Sequence, residues 1–414
     1  VVYFKPGEKY LGGDFFYSEP KSYCVKFTGE NELEEVKNNE NYIPYGLRKS
    51  LYYFLITAAN FYLRKIKVCN FIIHPSVRIN DQNAFAEKIA EHLNLLLNSF
   101  DDEEFQNGLK ESWDDLKSTK PDLQTFEEIF SAVKTIISEQ LIKTLVLNSQ
   151  SPIEVKYDLG YNIIVGGNTL GRGITLPRLQ TVYYCRRAKD PQADTNWQHS
   201  RIFGYDRDQG LLRIFIPQSL FHLFVSLNES NKNIINQISE NAIERIQILL
   251  PPNIRPTRRN VLNKNILSIV TGGVNYFPLY PSENKNPALD EILENFLEEE
   301  EFYNVNIETI IKILKNIPLP EDFNLLKFTS CVVSMRANRP STKCKLIVRR
   351  NRDIGKYTGT LLSETDRKLG DKFQNEITLT MYNVIGNKAK GWNGNNCWIP
   401  NIKFPKDICY YDIE

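Results

Sequence analysis

Apolar and polar positions follow two different rhythms along the first half of the chain. Leu47, Leu51, Phe54, Leu55 and Ala58 recur at helical spacing behind Pro44, a helix-start signal. Phe85, Ile89, Leu93 and Leu96 do the same within a second predicted helix, about 80–100. A third is predicted near 123–139. Between and after these lie short, nearly continuous apolar runs: 68–74, 145–147, 162–165, 181–185 and 212–216. Such runs read as strands buried on both faces, and their alternation with amphipathic helices predicts a parallel sheet covered by helices. Elsewhere the pattern is weaker. Residues 1–40 read as loop, with Gly7, Gly12 and Gly13 and then the charged run 30–40. Residues 101–123 are charged and partly disordered in character, 218–330 read as mainly helical, and 331–414 as strand-like. No internal repeat is visible.

Composition narrows the class. The chain has 414 residues, a net charge of +1, 42% hydrophobic and 24% charged residues. That excludes a uniformly basic nucleic-acid binder and an acidic tail protein. No apolar run approaches the roughly 18 residues of a membrane helix. The chain opens Val1-Val2-Tyr3 without a secretory pattern, and its two methionines are Met335 and Met381, so it is expected to be part of a longer protein. The seven cysteines are scattered with no CxxC spacing, as in a reducing cytoplasm. Charge is uneven: residues 331–414 hold 15 Lys and Arg against 8 Asp and Glu.

Two segments carry candidate chemistry. In the first, a strand at Ile163-Ile164-Val165 runs into Gly166-Gly167-Asn168-Thr169-Leu170-Gly171-Arg172-Gly173-Ile174-Thr175-Leu176. A glycine-rich turn lets backbone approach a phosphate closely, but it equally makes a plain turn, and it lacks the GxxxxGK[ST] spacing of a P-loop. In the second, Gln198, Arg201 and Arg207 recur within Asp194-Thr195-Asn196-Trp197-Gln198-His199-Ser200-Arg201-Ile202-Phe203-Gly204-Tyr205-Asp206-Arg207. These are either a solvated helix face or arginines aimed at a polyphosphate, work that suits a permanently charged planar fork.

In this order, about 30 residues apart, the two segments resemble motifs V and VI of superfamily 2 helicases. More narrowly they resemble the Z-one domain family, helicase-like ATPases of bacterial restriction and phage-defence loci. Pro44 to Leu55, Phe71-Ile72-Ile73-His74-Pro75-Ser76 and Arg255-Pro256-Thr257 fit as well, so the resemblance spans about residues 40–260. Gly171, Ser200 and Asp206 depart from the family pattern. Asp206 shifts the second arginine by one place, which favours Arg201 over Arg207.

The resemblance implies an α/β architecture. Residues 1–40 would connect to a missing amino-terminal RecA-like lobe, and 41–217 would be the second RecA-like helicase lobe, with a helical insert at about 101–144. A mainly helical region, 218–330, and a basic β-rich domain, 331–414, would follow. It implies an ATP-dependent DNA translocase working with a nuclease subunit, with ATP and Mg²⁺ held mainly by the missing lobe. Arg201, Arg207 and Gln198 would be catalytic, and Gly171, Arg172, Gly173 and Thr175 would lie at the nucleotide. His74, Ser76, Arg78, Asn168 and Thr169 would touch DNA. Thr175 also reads as a helix cap, and His74 as a strand-end histidine.

Three further readings stay open. The cluster Lys343, Lys345, Arg349, Arg350 and Arg352, with Trp392 and Trp398, forms a nucleic-acid footprint or else a solvated strand with two core tryptophans. Asp122 with Glu154-Val155-Lys156 mimics a PD-(D/E)xK nuclease, or Asp122 caps a helix. A non-hydrolysing DNA-binding scaffold with a degenerate helicase lobe is the alternative to a motor.

Overall fold

The computed structural model describes residues 3–18, 20–38, 43–151, 156–171, 174–186, 191–199, 202–239, 247–250, 254–257, 267–297, 300–320, 322–338, 342–359 and 361–413. The chain forms two units, Lys5–Asn228 and Val1–Phe4 with Glu229–Glu414. The elements up to the boundary are α1 (Gly13–Phe16), β1 (Val25–Thr28), α2 (Glu32–Asn38), α3 (Tyr45–Leu63), β2 (Val68–His74), α4 (Ile79–Leu96) and α5 (Glu103–Thr119). Then come α6 (Phe126–Ser138), β3 (Ile142–Leu147), β4 (Gly160–Gly166), β5 (Leu179–Tyr184), α7 (Ala193–His199), β6 (Arg213–Pro217) and α8 (Gln218–Ser239), in which the boundary falls.

Six strands form one sheet in the order β1-β6-β5-β2-β4-β3, every pair parallel. The strands β4 and β5 are buried almost along their length, as continuous apolar runs require when both faces are covered. Helix α3 is the hub. Fourteen of its 19 residues are buried, Ala58 and Ala59 among them. It ends at Leu63, and beyond it Lys65, at φ 59°, and the Ile66 N to Phe61 O bond close a Schellman turn. Burying Phe54, Phe61 and Phe71 here contributes about 2 kcal/mol each.

Two stretches are better ordered than the pattern of apolar and polar residues by itself predicts. Residues 101–123 form the well-capped helix α5, with Asp102 accepting from Glu104 N and Phe105 N. Its buried residues Phe105, Leu109, Ser112 and Leu116 make one stripe under a charged face, and the charge masks the period. Residues 1–40 are more than a loop. β1 adds an edge strand to the sheet, pairing Val25 with Ile214 and Phe27 with Ile216. Four residues with a lysine among them are too short a run to stand out; a partner about 190 positions away makes them a strand.

In the second unit follow β7 (Gln247–Leu250), β8 (Leu267–Thr271), β9 (Asn275–Tyr276), α9 (Pro287–Glu294), β10 (Tyr303–Val305), α10 (Ile307–Asn316), α11 (Leu325–Asn338), β11 (Cys344–Arg352), α12 (Glu364–Lys372), β12 (Ile377–Val384), β13 (Cys397–Lys403) and β14 (Cys409–Ile413). A mixed sheet runs β10-β11-β12-β13-β9, with only β11 and β12 parallel. A second, antiparallel sheet runs β7-β14-β8. The expected division at 330 is therefore not a structural one. β7, β8, β9 and β10 all precede it in sequence, yet each is completed by a strand that follows it. These are short strands whose pairing is long-range, so they leave little local signal. A large core draws on α9, α10, α11 and the sheet strands, and a smaller one gathers Leu361, Tyr382, Trp392 and Ile399. Among the described residues no helix is long and apolar enough to cross a membrane.

Candidate functional site

Parallel strands deliver their following loops to one edge of a sheet, where α/β proteins place ligands. At that edge β2 ends in His74. Its side chain is 1% exposed and its ring lies 4.9 Å from Tyr184. Its carbonyl accepts from Cys185 N and Arg186 N at 3.3 and 3.2 Å, tying the ends of β2 and β5 together. The expected DNA contact through His74 is corrected by this burial: the imidazole is core. Ser76 Oγ donates to Asp81 at 2.6 Å and accepts from Arg78 N at 2.9 Å. Its hydroxyl thus organises the start of α4. Arg78, the residue before α4, is exposed.

The glycine-rich turn packs against this one. A Cβ on Gly167 would lie 2.4 Å from Gln82 Nε2 and 2.9 Å from Ser76 O, and one on Gly166 would lie 2.6 Å from Leu147 O. These two glycines are demanded by neighbouring protein. The chain then makes a 3-10 turn, Asn168–Gly171, with Asn168 and Thr169 exposed and Leu170 buried. Arg172 and Gly173 lie outside the described residues. Thr175 is exposed and caps no helix, since the chain passes from it through a turn at Pro177 and Arg178 into β5.

The second segment begins in α7, where Gln198 is exposed. Ser200 and Arg201 lie outside the described residues. Arg207 is a correction. Its side chain is 6% exposed, and its guanidinium donates to Ile202 O at 3.0 Å, Phe203 O at 3.2 Å and Leu176 O at 3.3 Å, with an ion pair to Asp206. It is a strut joining the two motif segments, enclosed by carbonyls that a finger would have to leave. Burial lowers its pKa, opposed by the Asp206 carboxylate. Asp206 explains its own departure from the family pattern. It accepts from Arg178 N at 2.7 Å, and Arg178, at φ 49°, is the turn residue that leads into β5.

The remaining candidates are also placed. Asp122 is paired with Arg64 at 2.8 Å and Lys120 at 3.2 Å, and those two hydrogen-bonded cations hold its carboxyl down at about 2. It caps no helix either: Thr125 does that for α6, through a capping box with Glu128. Glu154 lies outside the described residues and Lys156 is exposed. No group of three or more His, Cys, Asp or Glu among the described residues is placed to hold a metal. The basic cluster turns mostly inward. Lys345 pairs with Glu376 at 3.4 Å, Arg349 with the buried Asp366 at 3.0 Å, Arg350 bonds Leu293 O and Phe296 O, and Arg352 bonds Leu361 O. Lys343 remains exposed. Trp392 donates to Ile354 O and Trp398 to Asp290, and both are in cores, closed to stacking bases.

One buried carboxylate escaped sequence reasoning. Glu32 is 4% exposed and accepts from Gly29 N, Gly46 N, Leu47 N and, at 2.5 Å, the Tyr183 hydroxyl. It holds the amino end of α3 against β5, and a Cβ on Gly46 would collide with it at 2.5 Å. Nothing in its acidic neighbourhood distinguishes it from a solvated glutamate.

A parallel α/β unit with two interlocked motif segments at its strand ends, followed by a mixed-sheet unit, is the class these features define. The chain belongs to the Z1 domain family, whose model matches residues 46–257. A second model, for the C-terminal domain of the restriction endonuclease CglI H-subunit, matches residues 270–406. Among solved structures, the C-terminal domain of the CglI restriction endonuclease H subunit is 32% identical, covering 33% of this chain and 99% of that one, with a TM-score of 0.30. The comparison with curated proteins found no match.

Proposed function

We propose that this chain is part of an ATP-dependent, helicase-like DNA translocase subunit of a restriction system, acting in the cytoplasm with a separate nuclease subunit. The observation that carries the reading is the succession of two matches, a Z1 domain and then the C-terminal domain of a restriction endonuclease H-subunit. In this reading the parallel-sheet unit is a RecA-like second lobe, and a preceding lobe completes the ATP site. ATP would supply the phosphoryl transfer that drives movement, with Mg²⁺ bound mainly by that preceding lobe.

The exposed turn at Asn168 and Thr169 would offer hydrogen-bonding groups to one side of such a site, with the exposed Gln198 on the second segment. Arg201 is the finger in this reading and would stabilise charge on the transferring group. Arg172 and Thr175 would link nucleotide state to DNA. Arg78, Asn168 and Thr169, all in solvent, would meet the backbone. The enclosure of Arg207 among carbonyls is what supports a second reading, a non-hydrolysing DNA-binding scaffold.

ATPase assays on the full-length protein, with and without DNA, separate the two. Arg201→Ala is expected to lower turnover by about a hundredfold or more with DNA affinity retained. Unchanged turnover removes Arg201 from the mechanism, and no turnover in the wild type leaves the scaffold. The 414-residue chain alone is expected to show no sustained ATPase activity.

A further inference from the structure

The loop that follows Arg201 is held by the beginning of the chain. Leu11 N donates to Gly204 O at 3.0 Å and Gly204 N donates to Leu11 O at 3.1 Å, an isolated antiparallel bridge. Gly7 N donates to the Tyr205 hydroxyl at 3.1 Å, and the rings of Tyr10 and Tyr205 lie 5.1 Å apart. Next along the chain, Phe16 stacks on Phe203 at 5.8 Å and Tyr17 on Phe224 at 4.7 Å. Trp197 of α7 meets Phe203 at 5.2 Å. The fit tolerates no side chain at Gly13, where a Cβ would lie 2.6 Å from the Trp197 ring and 2.1 Å from Asn228 Oδ1. Asn228 in turn donates to Asp14 at 2.9 Å and Tyr17 O at 3.2 Å.

We infer that segment 5–18 is a strap that positions the loop following Arg201, with Tyr10 and Leu11 as its positioning residues. The loop has no helix or strand of its own from 202 to 212, so its backbone is fixed by what it bonds to. The strap bonds Gly204 and Tyr205, and the Arg207 strut bonds Ile202 O and Phe203 O. Ile202, the residue after Arg201, is 1% exposed. A group that must meet a transferring phosphoryl within a fraction of an ångström depends on such anchoring. The consequence for turnover rests on the proposed function; the anchoring itself does not.

The test uses the full-length protein with Tyr10→Ala and Tyr10→Phe. Loss of the ring contact is expected to lower DNA-stimulated kcat about tenfold, with KM for ATP and Kd for DNA within about twofold, and the phenylalanine variant is expected to restore it. Hydrogen exchange at the Gly204 amide, read in the same variants without nucleotide, is expected to speed up about tenfold in Tyr10→Ala alone. Wild-type kcat in Tyr10→Ala, or a loss that phenylalanine does not rescue, overturns the positioning role. If the wild type has no turnover, the proposed function falls and exchange decides the strap: faster exchange supports it, unchanged exchange overturns it.

Discussion

Arg78 of the parallel-sheet unit and the cations along β11 of the second unit are used in opposite ways. At the strand ends of the parallel-sheet unit, Arg78 stands in solvent, as do Asn168 and Thr169 of the glycine-rich turn. Along β11 of the second unit, the densest basic stretch of the sequence is committed to the protein itself: Lys345, Arg349, Arg350 and Arg352 end on carboxylates, carbonyls and aromatic faces. Arginine bonded to buried carbonyls is a structural tie, because leaving would strand those acceptors unpaired. A net charge counted along a sequence therefore says nothing about a DNA footprint until the direction of each side chain is known.

That contrast can be broken by substitution. Arg349→Ala should have the largest effect, leaving the Asp366 carboxylate buried with the Tyr382 hydroxyl and its cap contacts, at a cost of about 3 kcal/mol in a denaturant melt. Arg350→Ala should cost less, about 1–2 kcal/mol, through the lost bonds to Leu293 O and Phe296 O and the packing 5.1 Å over Trp398. Neither change should alter the salt dependence of DNA binding by the folded protein; a flatter salt slope in either would show that β11 reaches phosphate after all. Arg78→Ala should do the reverse, leaving stability within about 0.5 kcal/mol and reducing the salt slope by about one. A wild-type slope in that variant would remove the strand-end edge as the contact.

The parallel-sheet unit was the more legible of the two. Apolar runs 68–74, 162–165, 181–185 and 212–216 fall on β2, β4, β5 and β6 within two residues at each end, because strands buried on both faces need unbroken apolar sequence. The helical period at 47–58 falls within α3 for the same kind of local reason. β1, β9 and β10 were not legible, being two to four residues long and defined by partners far along the chain. In the site, the order of the glycine-rich turn and the arginine segment was readable and led to the Z1 family. The roles of Arg207 and Asp206 were not. Both depend on carbonyl and amide groups of residues 176 and 178, which adjoin them only after β5 and β6 have paired.

The sequence by itself determined the central strands of the parallel sheet, the helix α3 and the family, since each is written in local spacing or in an ordered motif. Tertiary structure alone decided which polar groups face solvent. Glu32 at the start of α3, Arg207 among carbonyls, the β11 cations and the strap over Gly204 all take their roles from partners remote in sequence. A charged side chain has the same composition buried or exposed, and only the groups folded around it determine whether it holds the protein together or is left to meet a ligand.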